Sequence, residues 1–416
     1  MQSRGHDWRS ILLVFGGICV ALLSIGLAIL MIFIDSIQTV FHTLSLDNSS
    51  FVETLVLASA LIFAGAALLP AIYFGIQKLR GKEIKPGSPR PLKIWEAVLI
   101  LAVWIGASFL AQGLFDIGFL GWVAPPFYLL AIALPVYLLV RLATGGLDAG
   151  SRERFWGALG TGMAVGTSIA VVIEMAILIV GLIGVGVYLG LNPQLLSSFR
   201  YIADQLSNTG NLDEILNVAS PWLTSPWLIL IGLFFFSVLT PLIEETCKSI
   251  TPWLIFDHLN SPVQGFVVGA LSGAGFGLLE SLLASAAPDT GWASTLLVRG
   301  GSTMMHVMTA SITGWGIATF RANKHFRFVI GAYALAMFMH SLWNACVVMI
   351  VAGGVRVIAG TNSPDALGTV MVFAGVFVLI ILCLAIPLAL GMVNWRFRTE
   401  AKPTTIMPPP TLNEQS

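Results

Sequence analysis

The sequence predicts an all-α integral membrane protein, a polytopic bundle of about ten transmembrane helices. Of its 416 residues, 56% are hydrophobic and only 10% are charged, whereas soluble domains carry about 25% charged residues. The apolar residues fall into long stretches, and a helix needs about 20 such residues to cross a hydrocarbon core. The composition therefore excludes a soluble domain, and the chain contains no nucleic-acid-binding motif.

Ten stretches are long enough to cross a membrane. The third and fourth form the least distinct pair, which leaves eight spans as the alternative. The first has no small-residue cleavage site after it, so it indicates an uncleaved anchor instead of a removable signal peptide. The ten stretches lie at about 11–34, 54–77, 94–115, 119–140, 157–189, 226–248, 263–286, 293–320, 328–352 and 366–393.

The distribution of basic residues predicts the orientation. With the N-terminus placed in the cytoplasm, 18 of the 21 Lys and Arg residues fall on the cytoplasmic side. This asymmetry satisfies the positive-inside rule and supports an even number of spans. Both termini are therefore expected in the cytoplasm, and the expected location is the bacterial plasma membrane.

Changes in composition divide the chain into five parts. Residues 1–190 form an N-terminal bundle of five spans, and 191–225 form an external segment with amphipathic helical spacing. Residues 226–352 form a four-helix membrane core that holds the clustered ionisable residues. The last span lies within 353–393, and the Pro-rich polar residues 394–416 are expected to be a disordered cytoplasmic tail.

Charged side chains inside the membrane core are the main functional signal. Each costs about 2.5–3.5 kcal/mol at the bilayer centre on insertion scales, so such residues usually line a polar interior or a site. The sixth span contains Glu244, Glu245 and Lys248, and the lysine can reach either carboxylate along the helix. Glu174 is an isolated carboxylate in the fifth span, which favours a role in helix packing or in the bundle interior.

The next three spans each add polar groups. The seventh has glycines at every fourth position, which predicts close helix packing, followed by Phe276 and Glu280 on one face. The eighth carries Arg299 and His306, two turns apart. The ninth carries His340 and Asn344, which share a face and offer a base or metal ligand together with an amide donor. The structural alternatives are a hydrogen-bonded packing role for a histidine in a membrane helix and, for Asn344, a role that only orients His340.

In order, these four patterns are EExxK, FxxxE, Arg followed by His, and HxxxN. This series resembles the PrsW family of intramembrane proteases, which is related to the CAAX prenyl proteases and bacteriocin-processing enzymes. The resemblance covers residues 226–352. It implies an endopeptidase in which Glu244 and Glu245 supply the carboxylate that activates water, while Glu280 takes a place held by His in the prenyl proteases. His306 and His340 complete the implied site, and Asn344 matches its last position.

Two mechanisms are consistent with the resemblance. In one, His306, His340 and Glu280 hold Zn²⁺, which lowers the pKa of bound water, and a second Glu acts as the base. In the other, Glu244 or Glu245 activates water without a metal while His340 and Asn344 stabilise the oxyanion. In both, Lys248, Phe276 and Arg299 are supporting residues. The implied partners are the lipid bilayer and membrane-anchored protein substrates, with anti-sigma-factor-like regulators among the candidates.

Two other classes remain as alternatives. Glu and His residues inside membranes also form proton relays, so an ion- or proton-coupled transporter is the second hypothesis. Transporters often have two repeated halves, and here the polar groups occupy one block without a counterpart. The third hypothesis is a non-catalytic scaffold that keeps the pocket.

Overall fold

The computed structural model describes residues 7–41, 49–208, 224–359 and 365–400, and its regular elements in those ranges are helical. We number the described α-helices α1 to α14 in chain order. They are α1 Trp8–Phe41, α2 Ser49–Ala67, α3 Leu69–Leu79, α4 Ile94–Asp116, α5 Ala124–Thr144, α6 Arg152–Thr161, α7 Thr167–Leu191, α8 Pro193–Asn208, α9 Pro226–Phe234, α10 Thr240–Leu254, α11 Pro262–Ala284, α12 Trp292–Asn323, α13 Arg327–Ala359 and α14 Ala366–Glu400.

The prediction of an all-α polytopic bundle is confirmed. Nine helical stretches among the described residues are long and apolar enough to cross a membrane. The remaining predicted span, 293–320, corresponds to α12, which is 32 residues long but less apolar than the others. This helix lies between α11 and α13 and contributes many of the buried polar side chains of the bundle, His306 among them.

Two π-helical turns each join a pair of consecutive helices into one longer helical stretch. The turn Gly162–Gly166 joins α6 to α7, and the turn Phe235–Leu239 joins α9 to α10. Turns of this kind often occur near functional sites. Both lie on helices that pack against α11, the most buried of the apolar spans.

Helix α11 packs closely on α12, and this contact positions the core of the bundle. The glycine spacing of α11 predicted close helix packing. A Cβ atom added at Gly269 would overlap the carbonyl oxygen of Ala310, and one added at Gly273 would overlap that of His306. The two backbones are therefore in direct contact along this stripe. The contact fixes the end of α11 that carries Phe276 and Glu280 against the stretch of α12 that carries His306.

The N-terminal helices pack onto the same core. Tyr128 of α5 donates a hydrogen bond to the carbonyl of Leu282 on α11, and its ring stacks on Trp292 of α12. At the other end of the chain, α14 continues to Glu400, so it extends beyond residue 394, where the tail was predicted to begin. Asn394 is buried and donates two hydrogen bonds, to the carbonyl groups of Ala143 and Gly145 at the C-terminal end of α5, which anchors this end of the helix.

Part of the segment that was predicted to be external is also described. Helix α8, Pro193–Asn208, is the most amphipathic of the described helices and contacts α7. This agrees with the predicted amphipathic spacing. Residues 209–223 and 401–416 of the predicted external segment and tail lie outside the described residues.

Candidate active site

Three charged residues of α10 form the centre of the site. Glu244, Glu245 and Lys248 are all buried, and the lysine ammonium lies 2.8 Å from Glu245 Oε1 and 3.3 Å from Glu244 Oε2. The ammonium also lies 4.7 Å from the centre of the Phe276 ring. A buried charge needs such partners, because an isolated charge in an apolar interior is strongly unfavourable.

Glu245 connects three helices through one oxygen atom. Its Oε1 accepts hydrogen bonds from Lys248 Nζ at 2.8 Å, from Thr309 Oγ1 on α12 at 3.0 Å, and from His340 Nδ1 on α13 at 2.8 Å. Three donors stabilise the ionised carboxylate, which can only accept. The proton of His340 therefore resides on Nδ1, and its Nε2 carries the lone pair.

His306 is held in a similar way by a different carboxylate. Its Nε2 lies 2.6 Å from Glu280 Oε2, and Glu280 Oε1 lies 2.8 Å from a guanidinium nitrogen of Arg299. The Phe276 ring, 5.3 Å from the imidazole between centres, forms a wall beside it. A proton on Nε2 would be stabilised by this carboxylate at 2.6 Å and would leave the lone pair of Nδ1 on the opposite edge of the ring.

The two free imidazole edges converge on Glu244. Glu244 Oε2 lies 3.6 Å from His306 Nδ1 and 3.7 Å from His340 Nε2. One ligand atom from each of these residues lies within 4.8 Å of the others. Both Glu244 Oε2 and His306 Nδ1 are buried and have no hydrogen-bond partner among the described residues.

This donor set fits a divalent metal ion. Two neutral imidazoles and one carboxylate are a common ligand set for catalytic zinc, which keeps a further position open. In such centres the outer nitrogen of each histidine usually contacts a carboxylate or a carbonyl. Glu280 and Glu245 provide that contact for His306 and His340. Glu244 Oε2 and His306 Nδ1, which have no hydrogen-bond partner among the described residues, are atoms that an ion would satisfy.

The structure distributes the sequence-predicted residues over three positions. Glu244, His306 and His340 face one another, while Glu245 and Glu280 lie on the outer edges of the two imidazoles. Glu280, expected from the sequence to be the metal-binding carboxylate, thus contacts the nitrogen of His306 that points away from Glu244. Lys248, Phe276 and Arg299 surround the group in supporting positions.

Asn344 lies apart from this group. Its side-chain amide donates a hydrogen bond of 2.8 Å to the carbonyl of Phe236, in the π-helical turn before α10. A π turn changes the regular pairing of carbonyl groups, and Asn344 satisfies one of them. The contact links α13 to the start of the helix that carries Glu244.

Sequence reasoning missed Thr309, and it interpreted Glu174 as a residue of helix packing or of the bundle interior. Thr309 is fully buried, lies one turn after His306 and donates to Glu245. Its position three residues after a histidine was the available signal, but a threonine in an apolar helix usually bonds only its own backbone. Glu174 of α7 is half-buried, interacts electrostatically with Glu280 and Lys248, and has one oxygen without a hydrogen-bond partner among the described residues.

Comparison with known proteins adds one finding. The model of the PrsW family of intramembrane metalloproteases matches residues 151–383, or 233 of the 416 residues. The matched stretch runs from the start of α6 into α14 and contains every residue of the group described above. No curated protein and no solved structure matches the chain significantly.

Proposed function

Because the chain belongs to the PrsW family of intramembrane metalloproteases, we propose that it hydrolyses peptide bonds of membrane-anchored proteins at a metal centre of Glu244, His306 and His340. The observation that carries this proposal is the convergence of three buried ligand atoms, two of them without a hydrogen-bond partner among the described residues. Zn²⁺ is the metal that this donor set fits best. A bound ion of this kind supplies Lewis-acid polarisation of water and of the peptide carbonyl.

The residues around the centre have separate roles in this proposal. Glu245 and Glu280 keep the proton of each imidazole on its outer nitrogen, so that both inner lone pairs stay available. Glu280 is also the most accessible of the three carboxylates, with 27% of its side chain exposed against 8% for Glu244 and none for Glu245. Water that enters with a substrate reaches Glu280 first, and this carboxylate can accept a proton and return it to the leaving amine.

The same difference in exposure indicates the side of approach. Arg299, paired with Glu280, is 17% exposed, whereas the His306 side chain is 2% exposed. A substrate segment therefore approaches from the Glu280 and Arg299 side. Single-pass regulators in a bacterial plasma membrane, such as anti-sigma factors, are the first substrates to examine.

A metal-free mechanism is less well supported by the geometry. It requires Asn344 beside His340 as an oxyanion donor, but the amide of Asn344 is hydrogen-bonded to the carbonyl of Phe236. The deciding experiment measures metal content of the purified protein together with cleavage of a single-pass reporter. We expect about one zinc per chain, loss of cleavage after chelation and recovery after Zn²⁺ is restored.

Variants of the three ligands complete this test. Glu244→Gln, His306→Ala and His340→Ala are expected to lose both metal and cleavage while still inserting into the membrane. His325→Ala, at an exposed histidine between α12 and α13, is the matched control and should keep both. Full cleavage by metal-free protein would contradict the proposed centre and favour a glutamate-type mechanism.

A further inference from the structure

A cavity lies outside the site, between α1, α3, α6 and α10. It has a volume of about 500 Å³, within the size range of small-molecule sites. Apolar side chains and glycines form most of its wall, including Leu12, Gly16, Leu68, Ala164 and Leu254. Leu12 and Leu254 are exposed on the outer surface of the bundle, so the cavity opens towards lipid.

One end of this cavity is charged. Arg9, Lys78 and Arg154 line it together with two carboxylates, Asp7 and Glu153. Lys78 binds both carboxylates, at 2.7 Å from Asp7 and 2.8 Å from Glu153. The lining thus holds three positive and two negative charges, and Asp257, which is not part of the lining, pairs with Arg9 at 3.5 Å. Arg154 is therefore the cation of the lining that has no ion pair among the described residues.

The two arginines have donors to spare. Arg154 donates to the neutral amide of Gln264 at 3.1 Å and forms none of the ion pairs found among the described residues. Arg9 contacts His258 at 2.8 Å and pairs with the exposed carboxylate of Asp257 at 3.5 Å, while its buried Nε has no hydrogen-bond partner among the described residues. Guanidinium groups with free donors are suited to phosphate oxygens.

The charged end lies at a defined side of the bundle. It adjoins the basic loop 80–93 and the loop before α6, both of which the positive-inside rule places in the cytoplasm. The cytoplasmic leaflet carries anionic lipids, and basic pockets between transmembrane helices on that side bind their headgroups. An apolar cavity with a cationic end at that depth matches an amphiphile with an anionic head.

We propose that this cavity binds one anionic phospholipid, with an acyl chain along α1 and α6 and the phosphate at Arg9 and Arg154. The bound lipid also contacts α10, the helix of Glu244 and Glu245, through Ile250 and Thr251. Thr251 Oγ1 lies 3.0 Å from Ser272 Oγ, which donates to the backbone carbonyl of Lys248. A lipid bound in the cavity therefore stabilises the position of α10, the helix that carries Glu244 and Glu245.

The test counts lipids bound to the full-length protein in detergent by native mass spectrometry. Phosphatidylglycerol is titrated against phosphatidylcholine, with oleate as a third probe. We expect one phosphatidylglycerol to bind about tenfold or more tightly than phosphatidylcholine, since each basic group contributes about fivefold. Equal binding of the two phospholipids, or oleate binding as tight as phosphatidylglycerol, would overturn the proposal.

Variants locate the bound lipid. Gly16→Leu places a side chain in the cavity, and α1 can accept it because no atom lies within 4 Å of the added Cβ. Gly26→Leu, on the same helix but outside the cavity, has equally open space around the added Cβ and is the control. Arg154→Gln should weaken phosphatidylglycerol binding about fivefold, whereas Arg152→Gln at a neighbouring exposed position should not. If the Gly16→Leu protein has the melting temperature of the parent and still binds phosphatidylglycerol equally tightly, the lipid binds elsewhere and the assignment is refuted.

Discussion

Nδ1 of His340 lies 2.8 Å from Oε1 of Glu245, and the other nitrogen of the same ring lies 3.7 Å from Oε2 of Glu244. Two adjacent glutamates of one helix thus contact opposite nitrogens of one imidazole. Their roles follow from this division: Glu245 orients the ring, and Glu244 lies where a ligand is needed. Mutations at these positions are therefore expected to have different consequences.

Glu245→Gln is expected to weaken metal binding by about 10- to 100-fold without removing a ligand, because outer partners of metal-binding histidines contribute on this scale. The uncharged amide no longer neutralises Lys248, and it can orient its NH₂ group towards His340. The metal dissociation constant, measured by competition with a chelator, checks this. Glu400→Gln, on an exposed carboxylate of α14, is the control. A loss as complete as that of Glu244→Gln would indicate that Glu245 is itself a ligand.

Thr309→Val is expected to lower the free energy of unfolding by about 1 kcal/mol, because it removes one donor to the buried Glu245 while preserving side-chain shape. Cleavage should decrease in parallel, because Glu245, the partner of His340, loses one of its three donors. Thr309→Ser keeps the hydroxyl group and should restore both properties. Equal loss in the Val and Ser variants would assign the effect to packing instead of hydrogen bonding.

Asn344→Ala is expected to retain cleavage while lowering thermal stability, since its amide bonds the carbonyl of Phe236 and not the Glu and His side chains. Loss of that hydrogen bond is expected to cost about 1 kcal/mol. Reporter cleavage and a melting curve on the same preparation check the two effects. Abolished cleavage with an unchanged melting temperature would show that Asn344 acts on the substrate.

Gly269→Ala is expected to destabilise the bundle by about 1–3 kcal/mol, because the added methyl group overlaps the backbone of α12 and forces the helices apart. The same separation would move Glu280 away from His306. Thermal unfolding in detergent measures this effect. Gly181→Ala on α7, where no atom lies within 4 Å of the added Cβ, is the control and should melt at or above the parent temperature.

Acidification is expected to destabilise the protein through His258. Burial, and then the neighbouring Arg9 guanidinium, lower the pKa of His258 from its usual 6.5. The unfolded chain therefore binds a proton more readily, and stability falls as the pH drops below 6.5. Because His258 is largely exposed, the effect should be small. Melting temperatures at pH 7 and pH 5 should differ less in His258→Gln than in the parent or in His325→Gln.

Much of this arrangement could be predicted from the sequence. The long apolar stretches predict the helices. Ionisable residues are rare inside membranes and are usually functional, so their presence in these stretches identifies Glu244, Glu245, His306 and His340 as a candidate site. The glycine spacing of α11 predicts close contact with another helix, which in the structure is α12. These predictions need only local composition and helical periodicity.

The separate roles of the residues within the site could not be predicted from composition and periodicity. Adjacent residues on a helix differ by about 100°, so the pattern of Glu244 and Glu245 does not say which one faces the histidines. Whether Glu280 meets the inner or outer nitrogen of His306 depends on the distance between α11 and α12. The hydrogen-bond partner of Asn344 is a backbone carbonyl on another helix. Every residue has such a carbonyl, so the pattern of side chains in the sequence does not identify this partner.

The π-helical turn Phe235–Leu239 has a consequence for how this region can vary. Such a turn accommodates one residue more than regular winding, so everything after it is rotated relative to α9. Loss of a single residue there would restore ordinary winding and swing the paired glutamates off their imidazole partners. A substitution in this stretch preserves that rotation and a deletion does not, so chains that keep the same chemistry are expected to vary here by substitution and not by deletion.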